Sequence, residues 1–379
     1  MSRVHGPGSR LGIMGGGQLG RMLALAARRL GYRVQVYAPG GHSPTGQVAD
    51  VEVTAGYDDE EAVRRFASGV DVLTFEFENV PADTVRWAAE HCAVRPGARA
   101  LATVQNRVRE KTFLAAGGFP VAPWAVVTSS AELSAAAARL SYPAVLKTAE
   151  SGYDGKGQRK LESPVDLAAA DLPPFPGVLE AWVPFVMEIS VVLARGADGS
   201  VALFPVCENI HRHHILDVTL APARLDPAVA RRAEELASAV AARLEFTGVL
   251  AVEMFVLADG SLLVNEIAPR PHNSGHFSLD ACLTDQFEQQ LRAVCGLPLG
   301  SPELLRPCAM ANLLGDLCSR GEPDWAAVAA FGDVKIHLYG KETAVAGRKM
   351  GHLTVLGATA DEALARVLAA RSALLGGEA

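Results

Sequence analysis

No stretch of this chain is apolar for long enough to span a membrane, and its first residues carry no hydrophobic signal region. The expected location is cytoplasmic, with 1–10 a short disordered lead-in. Positive charge is not in excess either. Lys and Arg number 35 against 42 Asp and Glu, a formal net charge of −7. That argues against a nucleic-acid surface, which needs a basic footprint. Local Lys and Arg clusters remain free to hold a small phosphorylated ligand. Cysteine is sparse: six, at 92, 207, 282, 295, 308 and 318, with no C-x-x-C pair. This excludes a disulfide framework or a cysteine zinc site and fits buried thiols in a reducing compartment. Internal repeats are missing as well. What remains is an ordinary globular composition, 49% hydrophobic and 20% charged, with length for two or three domains.

Residues 11–106 alternate strand and helix. Strands are expected at Leu11–Met14, Arg33–Tyr37 and Val70–Glu76, with helices over Gln18–Leu30 and Pro81–His91. Such alternation implies a parallel, doubly wound sheet. Beyond it the texture becomes α+β with antiparallel hairpins. Strands are expected at Pro143–Lys147, Val178–Trp182 and Glu188–Ala194, followed by a helix over about 227–244. From about 300, strands at Val334–Tyr339 and His352–Leu356 precede a C-terminal helix.

Several motifs point to chemistry. Gly15-Gly-Gly-Gln-Leu-Gly20 follows a strand and opens a helix, as in a dinucleotide fingerprint. The second strand ends Val36-Tyr-Ala-Pro39, without the carboxylate that NAD ribose needs, so another phosphorylated ligand at this loop is favoured. Ser151 to Gln158 exposes backbone N–H groups from three glycines beside Lys156. It lacks P-loop spacing but is suited to closing over phosphates. Lys147, on an apolar strand, needs an anionic partner. Glu76 and Asn79 end a parallel strand, where ligands of open sheets bind. Lys341 and Arg348 flank the turn between the last two strands and could clamp a phosphate. His211-Arg-His-His214 has no carboxylate or cysteine at ligand spacing, so it is not read as a metal site.

The most informative run is Asn265-Glu266 through Arg270, His272 and Asn273 to His276. A two-residue type I′ loop at Asp259-Gly260 would set Glu253 opposite Glu266 across a hairpin. Facing carboxylates repel unless a cation lies between them, and Mg²⁺ takes one or two carboxylates completed by substrate phosphates.

In order, these motifs resemble the ATP-grasp superfamily and, within it, the 5-(carboxyamino)imidazole ribonucleotide synthase family. The carrying segments are Gly15–Met22, Thr74–Asn79, Gln105–Lys111, Gly152–Gln158 and Asn265–His276. The resemblance implies an ATP-grasp fold, α/β and α+β. It would have an N-terminal Rossmann-like domain (1–106), a central two-lobed ATP-grasp domain (107–300, lobes about 107–175 and 176–300) and a small β-rich C-terminal domain (301–379). It implies ATP held by Arg107, Lys147, Gly152, Tyr153, Asp154, Gly155, Lys156, Gly157, Gln158, Glu180, Ala181, Trp182, Val183, Glu188, His211, Asn265 and Glu266. Glu253 and Glu266 would hold Mg²⁺, with Mn²⁺ able to replace it. Arg270, His272 and Asn273, with Lys156, would serve catalysis on bicarbonate and carboxyphosphate.

Aminoimidazole ribonucleotide would meet Gln18, Glu76, Asn79, Tyr153 and Asp154, with Lys341 and Arg348 on its phosphate. A homodimer with no nucleic-acid or membrane partner is implied. Two positions depart from the family pattern. Ala268 stands where Asn is common, which limits the protein ligands for a second metal. His213 and His214 stand where Asp and Gly are usual. Alternatives are a sister ligase, such as formate-dependent glycinamide ribonucleotide transformylase, or a non-catalytic nucleotide-binding protein.

Overall fold

The computed structural model describes residues 3–150, 152, 155–168 and 172–374. Five parallel strands come first: β1 (Arg10–Met14), β2 (Arg33–Ala38), β3 (Val51–Thr54), β4 (Val72–Phe75) and β5 (Ala93–Val94), in the order β3-β2-β1-β4-β5. The helix Gln18–Arg29 buries Leu19, Met22, Leu23, Ala26 and Ala27. That spacing makes one apolar stripe, which packs on the sheet. β3 and the helix Glu60–Ser68 were not anticipated: β3 is four residues long with no buried position, so it lacks a strong period.

A second sheet is antiparallel: β6 (Trp124–Val127), β7 (Ala144–Thr148), β8 (Gln158–Leu161) and β9 (Gly177–Ala181), in the order β6-β9-β7-β8. The third sheet has nine strands. β10 (Met187–Arg195), β11 (Val201–Leu203), β12 (Cys207–Arg212), β13 (Ile215–Ala221), β14 (Gly248–Val256) and β15 (Leu262–Ala268) are joined by β16 (Cys308–Leu314), β17 (Lys335–Leu338) and β18 (Lys349–Leu356). Because β16 pairs with β13, the strands after residue 300 extend the central sheet without a break. The helix Pro227–Arg243 starts at Asp226, whose carboxylate accepts from Ala228 N–H at 2.7 Å. It covers β10 and β14 with Val229, Ala233, Ala237, Val240 and Ala241. Among the described residues no helix is long and apolar enough to cross a membrane.

Two expectations need correction. Residues 3–9 are ordered along the surface and anchored at His5, which is buried, bonds Cys295 O through its N–H at 2.8 Å, and accepts from Tyr32 Oη on its carbonyl at 2.6 Å. The β14–β15 loop has three residues, not two. Leu257 N–H reaches Ser261 O at 2.9 Å, and Gly260 takes φ +78°. Glu253 nevertheless faces Glu266, because Asn265 is an extra residue between the pairs Met254–Val264 and Glu253–Glu266. The longer loop shifts the register by one position and the bulge shifts it back.

Candidate functional site

The three regions meet around a cleft of about 1340 Å³. Tyr153 and Asp154 lie outside the described residues. Every other residue expected to contact nucleotide, metal or substrate lines this one cleft. The Asn265 bulge contributes directly, since bulges re-aim side chains: Asn265 and Glu266, neighbours in sequence, both border the cleft.

At the centre are the facing carboxylates. Glu253 accepts from His272 Nε2 at 3.0 Å. Burial opposes its ionisation, but the hydrogen bond from His272 and positive charge at His211 and Lys349 hold the carboxyl well below its usual range. Glu266 lies 3.5 Å from a terminal nitrogen of Arg107. Glu253 therefore stands as an anion, and Glu266 has a cationic partner in Arg107. Among the described residues no group of three or more His, Cys, Asp and Glu could hold a metal. Two hard oxygen donors facing each other fit a Mg²⁺-type cation whose remaining ligands come from phosphates and water.

On one side is a lysine-rich wall. The anionic partner that Lys147 required is Glu180, at 2.8 Å. Burial lowers the Lys147 ammonium, and Glu180 partly offsets it. Glu180 also meets Lys111 at 3.2 Å, and Lys111 donates to Asn265 O at 3.1 Å. Despite burial, these cations bring the Glu180 carboxyl down to about 2. Further out, Phe185 stacks on Phe255 at 4.6 Å, and Lys160 lies 4.1 Å over the Trp182 ring. These make a flat apolar and cationic surface suited to a purine ring. Glu188 and His211 pair at 2.6 Å. Next to His211, His213 and His214 form the β12–β13 turn at φ +50° and +65°. His214 abuts Gly155 of the glycine-rich segment closely enough that a Cβ there would lie 2.6 Å from its own Cβ.

On the other side, Arg270 donates to both oxygens of Glu78, at 2.5 and 3.1 Å. Burial opposes the Arg270 charge, and Glu78 more than compensates. Asn273 is paired amide to amide with Asn312, at 3.1 and 2.7 Å. Toward the last strands, Lys341 donates to Lys349 O at 2.6 Å, and exposed Arg348 donates to Thr343 O at 3.0 Å.

The glycine loop corrects an expectation. Gly15 to Gly20 gives two of its N–H groups to a side chain of the protein itself. Glu76 takes Gly17 N–H on one oxygen, at 2.5 Å, and Gly20 N–H on the other, at 3.0 Å. A protein carboxylate thus sits at the helix N-terminus that was assigned to an anionic ligand. The glycines make room for it: a Cβ at Gly15 or Gly17 would come within 2.3 or 2.5 Å of Glu76. Burial raises the Glu76 carboxyl, and the two N–H groups counter part of that.

Four functional neighbours were not singled out from sequence: Glu78, Lys111, Glu110 and Ser274. Glu78 and Lys111 stand inside quoted motifs, but only the fold supplies their partners Arg270 and Glu180. Glu110 accepts from Ile267 N–H at 2.6 Å, and Ser274 bonds His272 at 2.8 Å.

Three family models match the chain. The ribonucleotide synthetase preATP-grasp domain covers 9–105, the ATP-grasp domain 112–287, and the phosphoribosylaminoimidazole carboxylase C-terminal domain 308–366. The N5-carboxyaminoimidazole ribonucleotide synthase of Bacillus subtilis is 48% identical over 94% of this chain and 93% of that protein. The one from Brucella melitensis is 44% identical over 92% and 96%. A crystal structure of an N5-carboxyaminoimidazole ribonucleotide synthetase with ADP superposes with TM-score 0.93 at 44% identity, covering 98% of both chains. An Aspergillus clavatus synthase with ADP and 5-aminoimidazole ribonucleotide gives 0.86 at 33%, covering 97% and 98%.

Proposed function

The chain belongs to the N5-carboxyaminoimidazole ribonucleotide synthase family, and on that premise we propose how its cleft works. It carboxylates the exocyclic amine of 5-aminoimidazole ribonucleotide with ATP and bicarbonate, in purine biosynthesis. The supporting observation is that the facing Glu253 and Glu266, the Lys147–Glu180 pair with buried Lys111 behind it, and Arg270 with Glu78 come together at one cleft.

ATP lies along the lysine wall, its base near Trp182 and Phe185, its phosphates toward Arg107, Lys147 and Lys156 of the 152–158 segment. Tyr153 and Asp154 belong to the same proposed segment. Glu253 and Glu266 hold Mg²⁺, which when bound neutralises phosphate charge. In phosphoryl transfer the protein contributes mainly positioning and charge stabilisation. A bicarbonate oxygen attacks the γ-phosphorus, the bond to the β-bridging oxygen breaks, and ADP leaves. Arg270 orients the bicarbonate and the resulting carboxyphosphate. The amine nitrogen then attacks the carboxyl carbon, phosphate departs, and the nitrogen loses a proton, leaving the carbamate. Gln18 and Asn79 flank the ribonucleotide, Lys341 and Arg348 meet its phosphate, and Glu76 shapes this end by fixing the glycine loop. Closure of the 152–158 segment would keep water from the anhydride. Cytoplasmic location, supported by six free cysteines, and a homodimer belong to the same reading.

The test is ADP release with each substrate omitted in turn. Turnover should require both bicarbonate and aminoimidazole ribonucleotide, and the product should be the acid-labile carbamate. Turnover with formate and glycinamide ribonucleotide instead would reassign the enzyme to the sister ligases. Stabilisation by NAD but not Mg-ATP in a thermal shift would remove it from both.

A further inference from the structure

Behind the carboxylate pair, six side chains form one hydrogen-bonded line through the interior. Thr219 Oγ1 donates to Asn209 Oδ1 at 3.1 Å, and Asn209 Nδ2 donates to Ser190 Oγ at 3.0 Å. The hydroxyls of Ser190 and Ser274 are 2.7 Å apart, and Ser274 Oγ is 2.8 Å from His272 Nδ1. His272 Nε2 then reaches Glu253 Oε1 at 3.0 Å. The strand register builds the line: Ser190 pairs with Glu253 across β10 and β14, and Asn209 with Thr219 across β12 and β13. Thr219, Asn209, Ser190 and Ser274 are all buried.

The line has one direction. The backbone N–H of Ser274 also reaches His272 Nδ1, at 3.3 Å, and an amide N–H can only donate. Nδ1 is therefore an acceptor, and the Ser274 hydroxyl spends its proton on it. Ser274 Oγ must then accept from Ser190, and Ser190 Oγ from the Asn209 amide. At the far end Glu253 is an acceptor. Both ends place the ring proton on Nε2. We propose that Ser274, Ser190, Asn209 and Thr219 are positioning residues that hold His272 in its Nε2–H tautomer. His272 is then a fixed donor to Glu253, and not a base toward bicarbonate or the amine. By occupying one Glu253 oxygen it sets the carboxylate's rotation and leaves the other oxygen to the cation, as outer partners of metal ligands do. This rests on the reading of Glu253 as a metal ligand.

The test is long-range ¹H–¹⁵N correlation on histidine-labelled full-length protein, with His272 identified by its loss in His272→Asn. The expected wild-type spectrum shows a protonated Nε2 and an acceptor Nδ1. Ser274→Ala removes the shorter of the two donors to Nδ1, the hydroxyl at 2.8 Å, and leaves the backbone N–H at 3.3 Å. An Nδ1–H form should then appear beside the Nε2–H form and kcat should fall about tenfold, with the KM for ATP within about twofold; Ser274→Thr should restore both. If Ser274→Ala does not fold, Ser190→Ala breaks the line one link further and takes its place. A wild-type ring protonated at Nδ1 overturns the proposal. So does a kcat loss without a tautomer change, which would mark the line as merely structural. The spectrum needs no turnover, so failure of the carboxylation assay would leave the tautomer separately readable.

Discussion

Arg270 closes its guanidinium fork on Glu78, with Nε donating to Oε2 at 2.5 Å and a terminal nitrogen to Oε1 at 3.1 Å. The two residues come from different domains, 192 positions apart. Glu78 lies within the loop after β4, and Arg270 follows β15, so this pair sets the angle at which the arginine meets the cleft. Bidentate pairing of this kind is directional as well as strong. Glu78→Gln keeps the shape but removes the charge and one of the two acceptors. It should lower kcat/KM for bicarbonate by about 10- to 100-fold while leaving the KM for ATP within about twofold. Steady-state ADP release at varied bicarbonate measures this. An equal rise in both KM values would instead place Glu78 in the nucleotide site.

Lys111 is wholly buried and joins Glu180 to the Asn265 bulge. Lys111→Met preserves most of the volume but leaves Asn265 O without that donor and Glu180 with Lys147 alone. Breaking a buried pair on one side costs several kcal/mol; because Lys147 remains, about 3 kcal/mol is expected here. Urea unfolding reads the loss. ATP affinity should fall with it, because the bulge carries Glu266. A variant as stable as the wild type would show that the lysine is dispensable to the wall.

Gly17 has φ −81°, so alanine there meets no backbone strain. The obstacle is Glu76, whose Oε1 would lie 2.5 Å from the new Cβ. Gly17→Ala should push Glu76 off the helix N-terminus and destabilise the protein by about 2 kcal/mol. It should also raise the KM for the ribonucleotide about tenfold with little change for ATP, because the loop lies at the end of the cleft proposed for the ribonucleotide. Paired KM measurements and a thermal melt check both parts.

The sequence was most legible where one local pattern carries one meaning. Strand–helix alternation gave the parallel sheet, and Lys147 on an apolar strand announced a buried anion. Its weakness was at partners distant in sequence. Glu76 and the glycine loop each carry a local pattern that suits a ligand, and nothing local says that one fills the other. The Glu253–Glu266 pairing was reached through a loop one residue too short, and Asn265 restored the register. Bulges depend on the whole ladder, so no short window exposes them.

His213 and His214 occupy a two-residue hairpin turn with both φ values positive, a conformation that costs a β-carbon-bearing residue roughly 1 kcal/mol. Replacing the pair with Asn-Gly should therefore stabilise the protein by about 1 kcal/mol. Calorimetry would show a small rise in Tm. An unchanged or lower Tm would mean that the contact of His214 with the Gly155 segment offsets the strain.

Glu110 supplies the pH dependence. Burial drives its carboxyl up, Arg107 opposes the shift and Glu266 adds to it, leaving it at about 7 against an ordinary 4.5. Between those values the folded chain holds a proton that the unfolded chain has released. Stability from this group is therefore full below about 4.5 and is lost as pH rises through about 7, roughly 3 kcal/mol in all. Glu110→Gln still accepts the Ile267 N–H but cannot ionise. Its Tm relative to wild type should rise steadily from about pH 5 to about pH 8. A constant offset across that range would mean that Glu110 is ionised throughout and that Arg107 prevails over burial.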